Sequence, residues 1–238
     1  DLGLVPELFD GKHQVIPIIS GGDDTIEKVN IPEVLPILTL RSSVIFPGAV
    51  TPITVGRAKS IALVRAVEAG DGLLGAVLQV DSSIEDPTPD DMHKIGTTAR
   101  ILKILEMPNG NLTVILSGLE KIEVQEYITT QPYFKATVTP IQDSTPDAKN
   151  VEFVESIKEV ALGIINISPS MPKEAAFAIK NLASSRTIIN FICSNMELTD
   201  DDRQHLLEAP GLLARARRLL EILVREQQLA ELKKDIQN

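Results

Sequence analysis

From Leu35 to about Pro140, apolar residues alternate with polar ones or run in short blocks bounded by turn residues, which is the pattern of strands. Strands are predicted over Leu35–Leu40, Ala49–Val55, Leu73–Val80, Thr97–Glu106, Leu112–Leu116, Ile122–Ile128 and Phe134–Pro140. The clearest hairpin passes from Arg100–Leu105 through Met107-Pro108-Asn109-Gly110-Asn111 into Leu112–Leu116, because Asn-Gly tolerates the positive φ of a tight turn. One helix interrupts the strands. Its stripe is Ser60, Leu63, Val64 and Val67, and Gly70-Asp71-Gly72 ends it.

After Ile141-Gln142-Asp143-Ser144 the apolar period becomes helical. Thr145-Pro146 offers an N-cap followed by Pro at the first helical position, and Val154, Ile157, Ala161 and Ile164 then line one face until Ser168-Pro169-Ser170-Met171-Pro172. Three shorter helices are predicted next. Lys173–Leu182 carries Ala176, Ile179 and Leu182; Ser185–Asn195 carries Ile188, Phe191 and Ile192; a helix capped by Thr199 reaches Leu206 and Leu207. From Leu212 to Asn238 there is neither Gly nor Pro, and the seam Leu212, Ala216, Leu219, Leu223 shifts to Leu229, Leu232 and Ile236. A helix of about 27 residues would run about 40 Å, so its end is expected to leave the domain. The expected fold is therefore α+β, with these parts: a flexible arm (1–33), a mostly antiparallel β subdomain with one packed helix (34–142), an all-α bundle (143–210) and a long projecting helix (211–238).

The 238 residues are 43% hydrophobic and 24% charged, the balance of a globular chain long enough to bury a core without disulfides. No stretch approaches the roughly 18 apolar residues of a membrane span, and the N-terminus has no basic-then-apolar signal, so an aqueous, cytoplasmic location is expected. With 33 acidic and 23 basic side chains the net charge is −10, which argues against nucleic acid as a partner.

The search for chemistry finds little. The three histidines, His13, His93 and His205, lack the spacing of a helical metal site, and Gly11-Lys12 lacks the rest of a phosphate loop. Cys193, within Ile189-Asn190-Phe191-Ile192, reads as a small buried hydrophobe. Asp90-Asp91 and Asp200-Asp201-Asp202 could supply paired carboxylates, but the second run follows Thr199 and reads as a capping box with acids at a helix start. No catalytic residue and no cofactor is expected in this chain.

Leu35-Pro36-Ile37-Leu38-Thr39-Leu40-Arg41-Ser42-Ser43-Val44-Ile45-Phe46-Pro47-Gly48, continuing through Pro52-Ile53-Thr54-Val55-Gly56-Arg57 and Ser60, resembles the opening of the N-terminal domain of bacterial Lon ATP-dependent proteases. Ile95–Ile101, Pro108-Asn109-Gly110 and Leu116-Ser117-Gly118-Leu119-Glu120-Lys121 match that family's hairpin in order. Leu219–Leu223 and Glu231–Gln237 look like its bundle and the start of its long helix. The resemblance covers about residues 34–238, with Thr39 where the family usually has Pro and an arm longer than usual. It implies a PUA-like β subdomain and a helical subdomain that help to recognise unfolded or damaged polypeptides and support a homohexamer. ATP, Mg and the Ser-Lys proteolytic dyad belong to later modules of the parent chain. A start at Asp1 and an uncapped end at Asn238 fit a fragment of that parent; a free-standing Lon-domain adaptor is the alternative.

A binder of unfolded chains needs apolar surface that folding leaves uncovered. The candidates are Phe46, Pro47 and Pro52 around the first strand pair, Met107 at the hairpin tip and Met171 in the interhelical break, methionine being suited to promiscuous contact. Each has an alternative: a core anchor for Phe46, turn and edge roles for Pro47 and Pro52, incidental exposure for the two methionines. Leu229, Leu232 and Ile236 are the candidates for contact between subunits or domains, while Leu212–Leu223 is expected to pack on its own bundle. An RNA-binding reading, open to PUA-like folds, meets an acidic chain with few aromatic stacking platforms.

Overall fold

The computed structural model describes residues 29–144 and 151–237, so the capping pair Thr145-Pro146 and most of the predicted arm lie outside the described residues. The fold is α+β. Six strands come first: β1 (Val34–Leu40), β2 (Val50–Val55), β3 (Leu73–Leu78), β4 (Ile95–Glu106), β5 (Leu112–Thr129) and β6 (Lys135–Ile141), with helix α1 (Ala58–Ala69) between β2 and β3. The helical half follows: α2 (Val151–Ile167), α3 (Lys173–Asn181), α4 (Ser185–Asn195), α5 (Asp200–Leu207) and α6 (Leu212–Gln237).

Pairing runs β2-β5-β4-β3-β1-β6, and β6 also pairs with β5, so five strands close into a ring with β2 attached outside it on β5. Only β1 and β3 are parallel; the other pairs are antiparallel. Closure leaves few open edges, which removes a route to edge-to-edge aggregation. Strand β3 is buried on both faces: Leu73 and Val77 join one apolar cluster, Leu74, Ala76 and Leu78 the other. That explains its unbroken apolar run.

The sequence reading separates Leu112–Leu116 from Ile122–Ile128, but the two are one strand. The intervening Ser117-Gly118 is not a turn. A Cβ on Gly118 would lie 2.1 Å from the Phe46 carbonyl oxygen, so glycine is there to admit the backbone of the β1–β2 loop. Gly48 N–H donates to the Gly118 carbonyl at 2.9 Å and Gly118 N–H to that of Ala49 at 2.8 Å. The hairpin turn at Met107–Asn111 forms as predicted, with Gly110 at φ 86°. Helix α1 buries the predicted stripe of Ser60, Leu63, Val64 and Val67.

The two halves share one core. Leu38, Phe46 and Leu116 of the β half belong to the same apolar cluster as Ile157, Ile189, Phe191 and Leu219 of the helices. On α6 the seam Leu212, Ala216, Leu219 and Leu223 packs on its own bundle. Inside the junction lies a charged network. Asp143, just after β6, pairs through Oδ1 with Lys121 Nζ at 3.0 Å and through Oδ2 with Arg215 Nη2 at 2.8 Å. Lys121 also donates to the Ala209 carbonyl (2.9 Å), and Arg215 to Asn190 Oδ1 (2.9 Å) and the Leu206 carbonyl (3.0 Å). Asn190 in turn donates from Nδ2 to the Pro47 carbonyl at 3.1 Å. Val29 and Ile31, within the stretch assigned to the arm, rest against the second apolar cluster.

Both acidic runs have structural roles. Asp91 accepts from Thr88 N–H at 2.7 Å in a capping box over the short turn Pro89–Asp91. Thr199 accepts from Asp202 N–H at 3.1 Å, but the reciprocal half of the expected box is replaced: the Asp202 carboxylate turns to Arg225 of α6, at 2.6 Å.

Two expectations follow. Gly118→Ala should lower unfolding stability by about 3 kcal/mol through overpacking against the Phe46 backbone, read as a shifted urea midpoint. Asp143→Asn leaves two buried cations without their carboxylate. It should cost about 3–5 kcal/mol, with near- and far-ultraviolet dichroism lost together because one core spans both halves.

Candidate functional site

Where Pro169 and Pro172 halt helix α2 and delay α3, the chain makes a corner that α6 passes on its way out of the domain. The corner, the C-terminal end of α4 and the outer part of α6 enclose a groove of about 230 Å³. Its floor is Met171 and Met196, both buried, with Ile164 and Leu198 beside them; Leu229 and Ala230 form the wall on α6. Glu197, Glu226, Lys233 and Lys234 stand on the rim, so an apolar trough is edged by charges of both signs. Along this last stretch of α6 every residue from Glu231 to Gln237 is exposed, including Leu232 and Ile236, which do not line the groove.

The structure divides the sequence candidates. Phe46 is wholly buried beneath the guanidinium of Arg215, 6.0 Å from its ring, so it anchors the core and offers no surface. Pro47 is also buried; its carbonyl accepts from Asn190. Pro52 is half-buried on β2, the strand outside the ring, where its missing N–H is tolerated. Met107 stands 42% exposed at the hairpin tip, away from the groove. Met171 is only 5% exposed, yet it is reachable as groove floor, and the fold brings it together with Leu229. Leu232 and Ile236 continue from Leu229 along the exposed helix.

Two contributors escaped the sequence reading. Met196, the C-cap of α4, completes the groove floor; as an isolated methionine after a helix it carries no local signal. Phe177 is 71% exposed on α3, whose buried positions are Ala175 and Ile179. The helical period places residue 177 opposite that stripe, so this exposure was legible once Ala175 was taken as the inward position.

No group of three or more His, Cys, Asp or Glu among the described residues is placed to hold a metal ion. Burial pushes the Cys193 thiol up to about 12, against the pull of Arg215 and Arg203, so it stays protonated and unreactive near neutral pH. No helix among the described residues is long and apolar enough to cross a membrane. An apolar groove with two thioethers can hold varied aliphatic or aromatic side chains without fixed hydrogen-bond geometry.

Comparison with known proteins places this architecture. Residues 34–225 match the model of the ATP-dependent protease La (LON) substrate-binding domain. The chain is 44% identical over 236 residues to the Lon protease of Flavobacterium johnsoniae, covering 97% of this chain and 29% of that protein. It is 37% identical over 226 residues to the Lon protease of Cytophaga hutchinsonii, covering 93% and 28%. Among solved structures, the N-terminal domain of Mycobacterium avium complex Lon protease superposes with a TM-score of 0.65 at 18% identity, covering 82% of this chain and 98% of that one, a likeness of fold. The chain thus spans less than a third of the length of these two sequence relatives. With a family match over most of its residues, the chain belongs to the Lon substrate-binding domain family.

Proposed function

We propose that this chain is the polypeptide-engaging N-terminal part of a cytoplasmic Lon-type protease, and that it binds unfolded or damaged proteins without chemistry of its own. In this reading ATP and Mg, and a Ser-Lys dyad that cuts peptide bonds, act in other modules of the parent, whose engagement of substrate begins here. The observation that carries the reading is the methionine-floored groove beside the exposed Leu229, an apolar surface that folding leaves open. Unfolded chains differ from folded ones mainly in exposing aliphatic and aromatic side chains, and a groove with an apolar floor takes many of them. The mixed charges on its rim keep the patch from binding copies of itself indiscriminately.

Leu232 and Ile236, outside the groove lining on the same helix, support a second role in assembly of a homohexamer, since apolar residues on an exposed helix need a partner helix or domain.

Binding of a reduced, carboxymethylated and therefore permanently unfolded protein separates the candidate surfaces. Leu229→Glu should weaken binding about tenfold or more, the loss of one buried leucine contact, without changing the melting temperature. Met107→Glu should change it less than about twofold. The reverse ranking would move the site to the hairpin tip, and unaltered binding by both variants would refute the apolar-contact reading. Sedimentation of the chain with and without residues 229–238 checks assembly: the intact helix should associate at high concentration and the shortened one should not.

A further inference from the structure

The first turn of α1 lacks the usual satisfaction of a helix start. Its N-cap is Arg57, which makes no side-chain capping bond, and the N–H groups of Ala58, Lys59 and Ser60 find no acceptor among the described residues. Such an end draws negative charge through its free donors and the helix dipole. A second, independent feature points the same way. Ser60 is 7% exposed, its hydroxyl makes no hydrogen bond among the described residues, and the residue lines two cavities that meet at this helix end.

The cavities differ in chemistry. One, of about 480 Å³, is polar and is edged by Arg41, Ser42, Thr54 and Asn111. The other, of about 230 Å³, is mainly apolar, with Ile37, Leu63 and Phe134 as its inner wall. Arg57 and Ser60 border both. The Arg57 guanidinium donates only to neutral acceptors: Gln79 Oε1 at 2.8 Å, the Thr39 carbonyl at 3.0 Å and hydroxyl at 3.2 Å, and the Glu85 carbonyl at 3.3 Å. No carboxylate among the described residues forms an ion pair with it; burial and the nearby Arg41 pull its pKa below the ordinary arginine value despite Asp86. With Arg41, Arg57 and Lys59 against Glu85 and Asp86, the corner is net positive in a chain of net charge −10.

We propose that the N-terminal end of α1, with Arg41, Arg57 and Ser60, holds the free C-terminal carboxylate of a polypeptide, while the wall of Ile37, Leu63 and Phe134 takes that chain's last, apolar side chain. The proposal rests on the polypeptide-binding reading above and narrows it, at this second site, to chain ends. A single carboxylate fits better than a polyanion. Glu85 and Asp86 stand on the apolar cavity's rim, with Asp86 taken up by Lys59 at 3.7 Å, and would repel additional negative charge. The unfilled N–H groups of the helix start and the Ser60 hydroxyl supply donors, the Arg41 and Arg57 guanidiniums supply positive charge, and the apolar pocket lies beside them, which together are the elements of chain-end recognition.

The test uses an N-terminally labelled octapeptide ending in Leu, as the free acid and as the C-terminal amide, with anisotropy read against the full 238-residue chain. The acid should bind about tenfold tighter than the amide, as expected for a charge-assisted contact, and replacing the last Leu by Ser should weaken the acid. Arg41→Glu and Ser60→Ala should each reduce the preference for the acid. Neither side chain has a hydrogen bond to lose among the described residues, whereas Arg57 holds three segments together and is left intact. Equal affinity for acid and amide overturns the proposal, as does an unchanged acid preference in both variants. Inorganic phosphate displacing the label as well as the unlabelled acid does overturns the apolar half. An unfolded protein with an amidated C-terminus is measured in parallel. Its binding should survive Arg41→Glu and fall with Leu229→Glu, so failure of the groove reading and failure of the chain-end site give different results.

Discussion

A single buried carboxylate holds the molecule together. Asp143 sits at the passage from strands to helices with Lys121 of β5 on one oxygen and Arg215 of α6 on the other, all three nearly or wholly inaccessible. One anion between two cations leaves an excess positive charge, which the carbonyls of Ala209, Leu206 and Leu207 and the amide oxygen of Asn190 accommodate with their lone pairs. Two apolar faces pressed together can slide; directional bonds to named carbonyls cannot. The desolvation cost of such a network largely offsets its Coulomb gain, so its main effect is orientation rather than net stability. The bonds end on loops and helix termini, the parts that side-chain packing alone would leave loose.

The same network fixes the β1–β2 loop. Asn190 bonds the Pro47 carbonyl, Thr97 donates to the Ile45 carbonyl at 2.6 Å, and Phe46 lies under Arg215. Gly118 makes the approach possible by having no side chain. Strand, loop and bundle are thereby fastened at one point, and apolar surface remains open where the fastening does not reach: the hairpin tip at Met107, the outward side of α3 at Phe177 and the trough along α6. Stickiness at the periphery of a rigid frame costs the core nothing.

Local pattern was enough for most elements, because strand alternation and the helical stripe depend on neighbours a few residues apart. The α1 stripe, the Asn-Gly hairpin and the inward seam of α6 are all of this kind. Long-range facts were out of reach. Ser117-Gly118 looks like a turn until the Phe46 carbonyl is known to lie across from it, and nothing near Asp143 tells that Lys121 and Arg215 converge there. For the candidate site the sequence gives hydrophobicity but not depth. Phe46 and Met107 are similar in hydrophobic character, yet one is sealed under a guanidinium and the other stands at a turn. Only the corner at Met171 and the overhang at Leu229 showed in the pattern, and only the fold showed that they face one another.

Charge then distinguishes the two open regions. The groove has Glu and Lys together on its rim, so it is electrically mixed, and in the proposed reading it selects chiefly by hydrophobicity. The end of α1 combines a helix start without a side-chain cap, an arginine held only by neutral acceptors among the described residues and a buried serine hydroxyl, within a chain whose overall charge repels anions. Long-range repulsion acts on whole ligands and is weakened by salt, whereas short-range donors act on a single oxygen pair in a partly desolvated pocket. A strongly acidic chain would be turned away before it arrived; a neutral or basic chain with one terminal carboxylate would not. In the proposed reading the acidic surface acts first, on a chain's overall charge, and the cationic corner second, on its terminus.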